Sequence, residues 1–288
     1  MLPPPTGQPA AEPLAFGQRV NLWRVCRAEW LKLFSLRSTW WLIAVTLVVA
    51  VAMGAFITFG QWESIQNPEI VQNAGEGPTA LAATTATKAV VFTRVILAVL
   101  AVLFVTNEYS SGQIRSTLAA VPTRWPVLAA KAVIIAPVAA VVTFVGQYAA
   151  MLAAWPILAG YAKDPSRLPD GWTITDDRFT TETLKIIAGE ALDVALIALF
   201  ALAIAWMVRN TAGGIVVLMV ALFIVPIFGT FVPVDWFQTG TTYIIGSCDN
   251  GLYNESGPFG FLKSLWVTGI WVLVSLVGAG VLLRTRDA

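Results

Sequence analysis

The chain has 288 residues, 57% hydrophobic and only 12% charged, with a mean hydropathy of +0.73. Soluble domains carry about a quarter charged residues, so this make-up excludes an ordinary soluble domain and points to an all-α polytopic membrane protein. Lys+Arg 18 against Asp+Glu 17 leaves a net charge of +1, which offers no basic field for nucleic acid. Histidine is absent, removing Ser-His-Asp and Cys-His catalysis, His-ligated zinc and His-based proton relays. Cys26 and Cys248 form neither a CxxC nor a Cys/His metal pattern. The sequence therefore nominates no catalytic residue and no metal site.

Residues 1–17 are rich in proline (Pro3, Pro4, Pro5, Pro9, Pro13) and read as a disordered lead. Over 18–36 the pattern becomes amphipathic. Val20, Trp23, Trp30, Leu31 and Phe34 fall on one helical arc, with Asn21, Arg24, Glu29, Lys32 and Ser35 opposite. Arg27 intrudes on the apolar arc and needs to snorkel or find a partner. Two tryptophans on one face suit a helix lying in the headgroup region of the inner leaflet. A plain extension of the first span is the alternative.

Six stretches are long and apolar enough to cross a bilayer as helices: about 40–60, 89–106, 127–160, 184–208, 213–231 and 264–283. The third is overlong and carries Pro137 and Pro156, and the fifth carries Pro226; each proline implies a kink, for movement or for shape. Small residues such as Ala201, Ala205, Gly269, Gly278 and Gly280 suit close helix packing. Lys and Arg divide unevenly between the two sides. Eleven of the 18 fall with the N-terminal segment, the second-to-third connection, Arg209 and the C-terminal tail, which places both termini in the cytoplasm.

The segment 107–126, NEYSSGQIRSTLAAVPTRWP, is the one substantial loop on that cytoplasmic side. Residues 110–120 suit a short helix ending near Pro122, with Ile114, Leu118 and Val121 on one stripe. It reads either as a docking surface for a cytoplasmic partner or as a solvated connection. On the other side lie loops 61–88, 161–185 and 232–263. The last, rich in aromatic residues and glycine, has the make-up of a segment that dips back into the membrane edge, where protein must cover its backbone. Inside the spans lie three charges: Arg94, and Glu190 with Asp193 at i, i+3 on one helix face. They form either a static ion pair between the second and fourth spans or the polar lining of a path or gate.

The runs EWLKLFSLRSTWW and NEYSSGQIRSTLAAVPTRWPVLAAK resemble the permease subunits of ABC-2 type transporters. The resemblance covers the whole chain in topology and these two segments in motif. It implies an amphipathic connecting helix, six spans, and a coupling helix between spans two and three that docks on a separate ATPase subunit. Glu108, Tyr109, Gly112, Arg115, Thr117, Pro122 and Arg124 fall where the coupling element lies. Arg27, Glu29, Trp30 and Lys32 fall in the connecting helix. The chain has no G-x-x-x-x-G-K-[ST], so ATP and its magnesium would be bound by the partner and no cofactor by this chain. The resemblance further implies export across a bacterial plasma membrane and a second permease chain, identical or homologous. Two other classes stay open. One is an intramembrane acid–base enzyme using Glu190 and Asp193, and the other a permease-like sensor that does not transport.

Overall fold

The computed structural model describes residues 21–60, 88–120, 124–161, 181–253 and 259–285. Among the described residues the chain is helical, with no strand. α1 (Leu22–Ser35) is capped by Asn21, whose side-chain oxygen accepts the Trp23 amide hydrogen. Extended Leu36 then turns the backbone into α2 (Arg37–Gly60). After the gap come α3 (Val90–Ser110), the short α4 (Gln113–Ala120) and the long α5 (Trp125–Tyr161). α6 (Thr181–Val208) leads into α7 (Thr211–Met219), a π-helical turn (Val220–Ile224) and α8 (Val225–Phe231). α9 (Asp235–Thr242) and a 3₁₀ turn (Cys248–Leu252) precede α10 (Phe261–Thr285). Among the described residues six segments are long and apolar enough to cross a membrane: α2, α3, α5, α6, the composite of α7 and α8, and α10. The protein is an all-α multi-pass membrane protein.

Three local features depart from expectation, each for a physical reason. The second span runs on to Ser110, so Asn107, Glu108 and Tyr109 form its last turn instead of opening the loop. The break comes at Gly112, whose φ of 73° only glycine adopts without strain, and α4 starts one residue later. The fifth span is not one α-helix. Pro226 has no amide hydrogen for the carbonyl four residues back, and the preceding turn is widened so that the Val225 amide bonds Val220. α5, by contrast, continues through Pro137 and Pro156. Val20, Pro122, the 1–17 lead and the 61–87 and 162–180 segments lie outside the described residues, as does Val121 of the expected stripe.

α6 is the central helix, packed between α3 and α5 and backed by α10. Its apolar window is 72% buried, against 22% for α2 and for the α7–α8 span, which line the outside. Ala198, Ala201 and Ala205 are fully buried on it, beside Leu97, Ile135, Ile197 and Leu202. Lipid tails are as apolar as leucine, so what these small residues gain is close backbone approach and dispersion contact. Gly280 does the same under the Trp125 ring, whereas Gly269 faces open space.

α1 lies against α5 and α2. It buries Val25, Glu29 and Leu33, while Trp23, Trp30 and Leu31 stay exposed and Phe34 stacks between Trp30 and Trp40. The apolar arc thus faces away from the protein, as an interfacial helix requires. Glu29, assigned to the polar arc, instead turns into the protein. Arg124 Nη1 donates to the Leu283 carbonyl at 2.6 Å, so the start of α5 and the end of α10 share one end of the bundle with α1 and α4. α9 and the 3₁₀ turn sit at the other end.

Candidate functional site

Helix α3 carries a charge near each end, Arg94 and Glu108, about 21 Å apart along the axis at 1.5 Å per residue. Each is the centre of a buried cluster.

At the α1–α4 end, four charges meet. Lys131, on α5 and fully buried, points its ammonium at Glu108 Oε1 (2.8 Å) and Glu29 Oε2 (2.6 Å) and donates to the Phe104 carbonyl (3.1 Å). Its Nζ also lies 4.0 Å from the centre of the Phe104 ring. Lys32, on α1, closes the array by donating to Glu29 Oε1 (2.7 Å), Glu108 Oε1 (3.1 Å) and Thr117 Oγ1 (3.1 Å). Two acids and two bases therefore join α1, α3, α4 and α5, with no net charge left over. Burial opposes the charge on Lys32, but Glu29 and then Glu108 outweigh it, so its pKa stands above the ordinary 10.5. Its contribution is complete below the ordinary lysine pKa and fades only as pH rises through the raised folded value.

α4 is anchored by buried Ile114 and held to α1 through Thr117, while Gln113, Arg115 and Ser116 face outward. Next to it, the Tyr109 ring meets Trp206 edge-on with centroids 5.8 Å apart, and the Arg209 guanidinium lies 5.6 Å from the Tyr109 ring centre. Thr211 Oγ1 donates to Thr106 Oγ1 at 2.8 Å, tying the α6–α7 corner to α3. Arg27 and Trp30 are exposed on α1.

At the opposite end, Arg94 reaches Asp193 Oδ2 at 3.6 Å, as the shared depth of spans two and four suggests. Its nearer partner is Asp249 Oδ2 at 2.7 Å, from the 3₁₀ turn. Asp193 and Asp249 are fully buried, and Glu190, one turn away on α6, is 1% exposed. The turn reaches α6 because Gly189 lets it. A Cβ there would collide with the Leu252 carbonyl, so only glycine permits this approach. Within 232–263 the described elements lie against the bundle, α9 on α8 and the 3₁₀ turn on α6 and α10. Cys248, fully buried, has its Sγ 3.5 Å from Thr268 Oγ1. Among the described residues no group of three or more His, Cys, Asp and Glu is placed to hold a metal ion.

Sequence reasoning found Glu29, Lys32 and Glu108 at one end and Arg94, Asp193 and Glu190 at the other. It missed Lys131 and Asp249. Lys131 lies inside an apolar run, where a lone lysine is itself a signal for a buried acidic partner. Asp249 gives no such signal, because its burial depends on how a distant loop folds back. No known family model matches this chain, and no curated protein matches it.

Proposed function

We propose that this chain is the membrane-spanning subunit of an ABC-2 type exporter, driven by a separate ATPase through α4. The observation that best supports this reading is the four-charge junction. A push on α4 would pass through Thr117 and Lys32 to Glu108 and Lys131, and so into the second and third spans. The outward residues Gln113, Arg115 and Ser116 would then form the docking face, while Glu29 and Glu108 act from behind it as internal ties. In this reading ATP and magnesium belong to the partner, and no covalent chemistry takes place in the chain. A second permease chain, identical or homologous, completes the pathway. The bilayer is a bacterial plasma membrane with both termini inside. The cargo would be an amphipathic small molecule, peptide or lipid, to match apolar helices with few polar points.

ATP favours the outward state only to the extent that it binds the closed motor preferentially, and the junction is where that preference would enter the membrane. The test is to purify the tagged chain in nanodiscs and identify what accompanies it. A stoichiometric ATPase is expected, with coupling lost in Arg115→Glu while the change in stability stays within about 0.5 kcal/mol, as for an exposed side chain. A chain that binds no ATPase when candidate motors are co-expressed, or an Arg115→Glu complex that transports normally, would contradict the reading.

A further inference from the structure

The cluster at the Arg94 end holds more buried carboxyl than buried cation. Asp193 and Asp249, both fully buried, face a single nitrogen of Arg94 at 3.6 and 2.7 Å. One guanidinium matches one carboxylate. Two ionised aspartates there would leave a negative charge inside the protein, well away from water. The hydrogen bonding is short in the same sense. Asp249 Oδ2 accepts from Arg94, but Asp249 Oδ1 and both oxygens of Asp193 have no hydrogen-bond partner among the described residues. Buried carboxylates are usually well supplied with donors, and a carboxyl proton would itself be the missing one.

Among the described residues the elements packed here supply no second buried cation. Of the charged groups on the elements packed here, α6 adds Glu190 and the exposed Lys185, and α3 adds the exposed Lys88 at its entrance. The 3₁₀ turn adds the Cys248 thiol, and Tyr253 follows it with a hydroxyl that donates to Asn250 Oδ1. α10 adds the hydroxyls of Ser264 and Thr268, and its Lys263 lies over the Phe259 and Tyr243 rings at 4.1 and 5.3 Å. Among the described residues the one other buried cation is Lys131, at the far end of the bundle.

We propose that Asp193 and Asp249 share one proton, forming a proton-binding site at the contact between α6 and the folded-back 3₁₀ turn. With the proton in place, the two carboxyls and Arg94 sum to zero, and an O–H donor joins one carboxyl oxygen to the other. Loss of the proton sets two carboxylates against each other across that contact, with one guanidinium between them. The seating of the turn over Gly189 therefore depends on that proton. This site stands apart from the motor reading and does not depend on it.

The test uses the full chain in nanodiscs and infrared spectroscopy of the carboxyl region. A protonated-carboxyl C=O band is expected at neutral pH. It should shift when aspartate is supplied with heavy-carbon carboxyls, vanish in Asp193→Asn and in Asp249→Asn, and persist in Glu190→Gln. The isotope shift is read on the wild-type chain, so it stands even where a variant fails to fold. No aspartate-derived band at neutral pH would overturn the proposal. So would a band lost in Glu190→Gln, or one that appears only when sodium and potassium are removed, which would assign the site to a metal cation.

Discussion

The two clusters on α3 use similar parts to different ends. At the α4 end, two lysines face two glutamates, every pair lies within 3.1 Å, and one member, Lys32, reaches the surface with its side chain 34% exposed. At the other end, one arginine serves two aspartates, one of them at 3.6 Å, and nothing reaches the surface. The first is balanced and joins four helices, as a junction transmitting movement should. The second is short of positive charge and joins two helices to a folded-back turn, so its state can change with what it binds. They differ at the rim in burial, but the difference that matters is the count of opposite charges.

That contrast can be broken or sharpened by substitution. The largest effect is expected for Lys131→Met, which leaves two buried glutamates with one lysine. Losing two close ion pairs and a backbone hydrogen bond should cost about 4 kcal/mol in reversible unfolding, or prevent accumulation of the protein. Arg94→Leu should cost about 3 kcal/mol, less because one of its two partners is already beyond hydrogen-bond distance. Its destabilisation should be milder in acid than in alkaline buffer, whereas that of Lys32→Met should be flat across neutral pH. Gly189→Ala tests the seating of the turn. Its Cβ would strike the Leu252 carbonyl, and thermal unfolding should show a loss of about 2 kcal/mol. Lys32→Met should cost about 1 kcal/mol, the usual scale for a partly exposed pair. A cost for Lys32→Met as large as that for Lys131→Met would remove the distinction between the tie and its rim.

The six spans and the two short helices at the α4 end were legible because they rest on apolar run length and helical periodicity, both local properties. Glu108 was legible as important but not in its role. From sequence it sits in a loop facing a partner; in the fold it is the last turn of a span facing Lys131. The reason is that span ends depend on which polar groups find buried partners, and that is settled by tertiary packing. Arg94 and Asp193 could be matched by depth alone, since both lie on spans. Asp249 could not, because its place is fixed by the close approach of the 3₁₀ turn to Gly189. The lipid-facing spans differ in this respect: α2 buries Thr39, Thr46, Ala50, Gly54 and Thr58, and α10 buries Ser264, Thr268 and Ser275, so a stripe of small and hydroxyl residues marks the inward face of each.

The most direct test of the junction is a double-mutant cycle on Lys131→Met and Glu108→Gln, read as reversible unfolding free energy in a fixed lipid environment. If the four charges act as one neutral unit, removing both members leaves Glu29 and Lys32 balanced. The double variant should then be more stable than Lys131→Met alone, with a coupling of about 2 kcal/mol. Strictly additive losses would contradict the account, because they would mean that Lys131 and Glu108 contribute independently and that no tie runs from α1 and α4 into the membrane helices.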